Sequence, residues 1–184
     1  LSQKMKKKKY KKLNKKKFYK ILICSGGADI RNMLYAVTKR LFKLNFLILN
    51  IILGPGVKNT NPIYSLKNKN INFIHQPKDL SSHIQNNDIC ITAGGTVMFE
   101  CLLNSKPLIV IPTYEHQKYA INFFKKRNAI IYLKNKNHLI NFFSNLEKQL
   151  NLLNQISKKS SSLISDKGLS LVTKKIFHFI NEKN

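Results

Sequence analysis

Acidic residues are scarce in this 184-residue chain: 8 Asp and Glu face 33 Lys and Arg, a formal charge of +25. Cysteine is scarcer still. Cys24, Cys90 and Cys101 are widely spaced and form no CxxC or Cys/His cluster, so neither a zinc site nor a disulfide framework is expected. A reducing cytoplasm is the compartment this usage suits. Long apolar runs are missing too. The longest, Phe46 to Leu53, is interrupted by Asn50, well short of the ~20 residues a spanning helix needs. No apolar segment and cleavage site of the secretory kind follows the basic N-terminus. The chain opens on Leu1 rather than methionine, which suggests a fragment or a processed product.

What is abundant is lysine, together with asparagine and isoleucine. Residues 1–20 alone hold 11 of the 33 basic side chains. Such charge admits a nucleic-acid-binding module, whose mark would be steeply salt-dependent binding. An AT-rich coding sequence yields the same three residue types, so a generally basic surface that draws in anionic ligands is the simpler reading. Specific nucleic-acid recognition is therefore not expected, whereas peripheral contact with an anionic membrane face is allowed.

Residues 1–18 read as a basic linker or low-complexity segment, and residues 19–184 as one domain. Within the domain, short apolar runs alternate with helical spacing. Strands are expected at Tyr19–Ser25, Asn45–Leu53, Ile71–His75, Asp88–Thr92, Pro107–Pro112 and Ala129–Leu133. Ile30, Met33, Leu34, Val37 and Leu41 recur at helical spacing behind Asp29, a natural cap. Pro77 and Asp79 open a short helix, and the chain from His138 reads as helical with a break at Ser165–Gly168. Near-continuous apolar strands alternating with helices predict an α/β fold: a Rossmann-like, doubly wound parallel sheet of about six strands with helices on both faces.

Glycine is as rare as acid, with seven in all, and four of them fall in two strand-to-helix turns. These are Ser25-Gly26-Gly27-Ala28-Asp29 and Thr92-Ala93-Gly94-Gly95-Thr96. Paired glycines let backbone approach a ligand, and the following helix offers free N–H groups and a positive dipole end. Neither turn is a Walker loop or a GxGxxG fingerprint. Two such turns on one sheet edge suit a diphosphate gripped from both sides. Glu100 lies off the Val97–Met98–Cys101–Leu102 face, where it either meets solvent or accepts hydrogen bonds from vicinal hydroxyls. Glu115, His116 and Gln117 crowd one helix mouth and could bond a sugar's hydroxyls.

"LICSGGADIRN" and "DICITAGGTVMFECLLNSKPLIVIPTYEHQKYAINFF" resemble the C-terminal half of GT-B fold nucleotide-sugar enzymes. They are most similar to the UDP-sugar hydrolase family of pseudaminic acid biosynthesis and its spore-coat polysaccharide relatives. The late "SDKGLSLV" is similar to that family's C-terminal segment. The resemblance implies a UDP-sugar ligand. Gly26, Gly27, Ala28, Gly94, Gly95 and Thr96 would line the diphosphate. Glu100 would hold the ribose, backbone at His75 and Gln76 would meet the base, and Glu115, His116 and Gln117 would contact the sugar. No metal or other cofactor is implied.

The resemblance also implies what is missing. The catalytic histidine of the hydrolase family lies in an N-terminal domain that this chain lacks, so no catalytic residue is expected here. The partner is then an N-terminal GT-B half, on a separate chain or absent. A donor-binding subunit of a split glycosyltransferase is the alternative to the hydrolase half.

Overall fold

The computed structural model describes residues 6–58, 60–66, 68–135 and 137–181. Six strands form one all-parallel sheet: β1 (Tyr19–Cys24), β2 (Leu47–Leu53), β3 (Ile71–His75), β4 (Ile89–Thr92), β5 (Leu108–Val110) and β6 (Ile131–Tyr132). Their order is β3-β2-β1-β4-β5-β6. The helices are α1 (Met33–Leu41), α2 (Asn61–Tyr64), α3 (Leu80–Gln85), α4 (Thr96–Leu103), α5 (Lys118–Lys126), α6 (His138–Ser144), α7 (Leu146–Leu163) and α8 (Gly168–Asn181).

Side-chain alternation explains why the strands are apolar at nearly every position. Ile21 and Ile23 of β1 enter one core with Met33, Leu34 and Val37 of α1 and Phe143 of α6. Leu22 and Cys24 enter a second core with Met98, Cys101 and Leu102 of α4 and Phe124 of α5. Both faces of the sheet are thus covered, as the doubly wound reading requires.

Asn50, which interrupts the apolar run of β2, has a structural use. Its Nδ2 donates to Asn87 Oδ1 at 2.8 Å, and its Oδ1 accepts from Asn72 Nδ2 at 2.9 Å. A short amide chain therefore crosses the outer strands. The start of α1 differs from the periodic reading. Ile30 is 75% exposed, and Asn32 adopts φ 50°, a left-handed turn that delays the helix to Met33.

The first five residues of the basic N-terminal segment lie outside the described residues. The remainder, residues 6–18, runs as a strap along the domain. Leu13 is buried, and its N–H and C=O both bond the Asn154 side chain of α7. Lys8 N–H donates to Leu103 O at 3.0 Å, and Ser105 Oγ donates to Lys8 O. Lys16 pairs with Asp88 just before β4. These anchors, Asp88 and Ser105, precede β4 and β5, so the strap follows the amino ends of the strands.

Candidate functional site

In a parallel sheet, ligands settle at the carboxyl ends of strands where the order of connection reverses. Here that point lies between β1 and β4, which are direct neighbours, with Cys24 opposite Thr92. Each of these strands runs into one of the two glycine pairs. The two turns therefore leave the sheet side by side.

The glycines differ in what requires them. Gly26 has φ 103°, a conformation that L side chains rarely adopt. A Cβ on Gly94 would fall 2.4 Å from Ile121 Cδ1 and 3.0 Å from Gln117 Cβ, so Gly94 lets α5 pack on the turn. Gly27 and Gly95 meet no such crowding. A Cβ on Gly27 has nothing within 4 Å, and one on Gly95 only Gln117 Nε2 at 3.7 Å. Both border open space in front of the turns.

The two helix termini are not equivalent. Asp29 turns its carboxylate onto α1, taking the N–H groups of Met33 at 2.8 Å and Leu34 at 2.9 Å. Asn32, not Asp29, is the N-cap residue, but the Asp29 carboxylate does the capping from three residues upstream, so those N–H groups are engaged. α4 has Gly95 as its N-cap, with no side-chain cap bond and no acid in its first turn. Its dipole end stays uncompensated by side chains and is the stronger anion-attracting terminus of the two. Thr96 stands exposed at that end.

Glu100, one turn further along α4, is half-buried; its backbone carbonyl accepts from Asn104, but its carboxylate has no hydrogen bond or ion pair among the described residues. Burial pushes its carboxyl above the usual range. The Cys24 thiol is pushed up to about 12, first by burial, with smaller contributions from the Glu100 and Asp29 charges. Glu100 thus lies within electrostatic reach of the β1 end. An unpaired carboxylate on the helix that follows the second glycine turn is equipped to accept hydrogen bonds from hydroxyls of a ligand.

Glu115, His116 and Gln117 form a short 3₁₀ turn after β5, and they diverge in role. Glu115 is exposed and paired with Lys118 at 2.5 Å. Lys118 holds its carboxyl low, with a much lesser contribution from Arg31. His116 stacks on Tyr114 at 5.4 Å between ring centroids. Gln117 is 6% exposed, and its Oε1 accepts from Gly94 N–H (3.3 Å), Thr113 N–H (3.1 Å), Thr113 Oγ1 (3.2 Å) and Tyr114 N–H (3.3 Å). Its carbonyl ties the second glycine turn to the β5 loop, leaving only Nε2 to face the open space.

His75 and Gln76 close β3, two strands from β1. Gln76 N–H is engaged by Leu53 O at 2.9 Å, and Gln76 takes φ 40°. Nε2 of His75 meets Tyr64 OH at 3.1 Å. What this segment can offer a base is its carbonyls and side chains rather than the Gln76 amide.

Two further groups escaped the sequence reading. Ser25 Oγ and Thr92 Oγ1 are buried without a hydrogen-bond partner among the described residues. They stand at the carboxyl ends of β1 and β4, directly behind the glycine pairs. A buried hydroxyl left unpaired costs about 1–3 kcal/mol; Thr38 Oγ1 and Asn104 Oδ1 are likewise unpaired among the described residues, away from the turns. Thr92→Val should raise the urea midpoint by an amount equivalent to about 1 kcal/mol. An unchanged or lowered midpoint would mean that the hydroxyl is satisfied in solution. Among the described residues, no cluster of three His, Cys, Asp or Glu could hold a metal ion.

Residues 20–174 match the glycosyltransferase family 28 C-terminal domain. A curated relative is the UDP-N-acetylglucosamine–N-acetylmuramyl-(pentapeptide) pyrophosphoryl-undecaprenol N-acetylglucosamine transferase of Campylobacter fetus subsp. fetus. It is 28% identical over 167 residues, covering 72% of this chain and 45% of the relative. Among solved structures, Acinetobacter baumannii MurG superposes with a TM-score of 0.72 at 18% identity, over 90% of this chain and 51% of MurG. An S. aureus MnaA–UDP structure superposes with a TM-score of 0.73 at 15% identity, over 90% and 47% of the two chains. The chain spans about half the length of these proteins. Its sheet is the C-terminal sheet of a GT-B fold, and the chain belongs to the glycosyltransferase family 28 C-terminal domain family.

Proposed function

We propose that this chain is the donor-binding half of a UDP-sugar glycosyltransferase. The observation that carries the reading is the pair of glycine turns side by side at the β1/β4 switch point, with the α4 terminus free of any side-chain cap. Gly26, Gly27 and Ala28 would meet the diphosphate from one turn, and Gly94, Gly95 and Thr96 from the other. Glu100 would accept from the ribose hydroxyls. The His75–Gln76 segment would face the base. Gln117 Nε2, with Glu115 and His116, would face the sugar.

The chemistry this half supplies is electrostatic. When the bond between sugar and diphosphate breaks, charge builds on the leaving phosphate. Backbone N–H groups and the α4 dipole are already aimed at that charge and need not reorganise. The acceptor and the group that takes its proton belong to a second half, which the relatives' greater length supports. A UDP-sugar hydrolase is the second reading, supported by the Gly26-Gly27-Ala28-Asp29-x-x-Asn32 pattern and the late Ser165–Val172 segment. In that case the second half delivers water to the same donor site.

Calorimetry with UDP tests the donor site directly. The chain should bind UDP saturably, and Gly95→Ala should weaken binding about tenfold by filling space the phosphates need. A folded sample that takes up no UDP would overturn both readings.

A further inference from the structure

We propose that the cavity between the lysine strap and the amino ends of β4 and β5 is a second ligand site, built for a small polyphosphate anion. Its volume is about 490 Å³, within the range of small-molecule sites. Lys8, Lys9, Lys11, Lys12, Lys16 and Lys106 line it, against one acid, Asp88. Asp88 is already engaged, by Lys16 Nζ and by Lys20 N–H at 2.9 Å. The other five cavity lysines have no acidic partner among the described residues.

Lys106 departs most from an ordinary surface lysine. Its side chain is partly buried, and its Nζ donates to Gln85 O at 2.7 Å and Asn87 O at 2.6 Å. Two carbonyls satisfy two of its three donors but bring no formal charge to neutralise it. Charges withdrawn from water are normally paired with opposite ones. Burial lowers the Lys106 pKa, as it does for a cation short of a counter-charge. An anion in the cavity would supply that charge.

The strap holds the remaining lysines in place. Lys8 N–H donates to Leu103 O, and Lys8 O accepts from Ser105 Oγ. Further on, Leu13 is buried and bonded at both backbone groups by Asn154. Lys9, Lys11 and Lys12 lie between these two anchors. Backbone bonds therefore keep like charges together, and their repulsion is a cost that a bound anion would remove. Fixing the strap beforehand also lowers the ordering cost of binding.

This arrangement suits a short phosphate chain. Lysine meets phosphate as a point charge, and a chain of phosphates can meet several ammonium groups at once. A monovalent anion would neutralise only one of the five unpaired lysines. The cavity lies at the opposite ends of the strands from the glycine turns. It is thus separate from the donor site, and the proposal does not depend on what those turns bind.

Calorimetry with sodium tripolyphosphate tests the site, at about 0.15 M salt and with UDP present to occupy the donor turns. Binding should be saturable with one equivalent. Lys9→Gln combined with Lys12→Gln should weaken it about tenfold. Both positions are exposed, so the thermal melt of the unliganded variant should not fall. Lys106→Met should weaken binding at least about tenfold. Lys43→Gln and Lys126→Gln, outside the cavity, should change affinity less than about twofold. A parallel titration with ATP identifies the source of the phosphates. Equal affinity for the two ligands assigns the site to an inorganic chain, and tighter ATP binding assigns it to a nucleotide's triphosphate tail. Absence of saturable tripolyphosphate binding would overturn the proposal. So would equal losses in the cavity and control variants, since diffuse surface charge would then account for the binding.

Discussion

Gly54→Ala should destabilise the domain by about 3 kcal/mol, the upper end of ordinary overpacking costs. Gly54 belongs to the "GPG" turn after β2, not to either glycine pair. A Cβ there would fall 2.4 Å from Gly26 O, 2.7 Å from Gly27 O and 2.9 Å from Gly27 C. All three atoms are backbone, so no side chain can swing aside to make room. The turn they form is pinned from the same side, since Gly56 N–H donates to Gly27 O at 2.7 Å. Relief requires the Gly26–Gly27 turn to move, and that shift would also spoil its fit to a phosphate. Gly27→Ala provides the contrast. Its Cβ would meet nothing within 4 Å, and its φ lies outside the left-handed region. The urea midpoint should then stay within the equivalent of about 0.5 kcal/mol of the native value. Equal midpoints for the two variants would show that the two turns do not lock together in solution.

That interlocking marks where the sequence stops being legible. Buried parallel strands write themselves as apolar runs, so all six were found. Ile71–His75 matched end to end, and Tyr19–Ser25 overran β1 by one residue. The β5 and β6 expectations run too long, because flanking Pro107 and Leu133 are apolar and still bond the neighbouring strand, through Cys90 N–H to Pro107 O and Leu133 N–H to Val110 O, but lie outside the paired register. The two glycine pairs were also visible, since rarity made them stand out. Tertiary partners were not. Nothing near Gln117 in the chain reveals that its carbonyl collects four donors from Gly94, Thr113 and Tyr114. The unpaired hydroxyls of Ser25 and Thr92 look in sequence like ordinary turn and strand residues. The lysine run reads as solvated, yet Leu13 and the backbone around it find Asn154, some 141 positions away. Patterns of period 2 and 3.6 report which face is buried, and a contact between distant loops leaves no period behind.

Glu100→Gln should move stability and binding in opposite directions. Burial raises the Glu100 carboxyl above its usual range, and no side-chain cation pairs with it among the described residues. An acid whose folded pKa is raised favours the fold while protonated. That contribution is whole below the unfolded value of about 4.3 and is lost as pH rises through the folded value. Glutamine copies the neutral acid at every pH. The variant should therefore be more stable than the native chain at pH 7, with the difference closing as pH falls below about 4. Binding should respond the other way. If the carboxylate accepts the ribose hydroxyls, the amide keeps one acceptor oxygen but loses the charge and the second. Hydrogen bonds to a charged group contribute about 1.5–3 kcal/mol, so UDP affinity should fall roughly ten- to hundredfold. Urea melts at pH 7 and pH 4, paired with UDP calorimetry, separate the possibilities. Greater stability with unchanged affinity would leave Glu100 a strained carboxylate with no ligand. Lower stability would reveal a partner for it within the fold. Only the combination of a firmer fold and a weaker grip fits a carboxylate kept unpaired for a ligand, as sites that trade stability for function require.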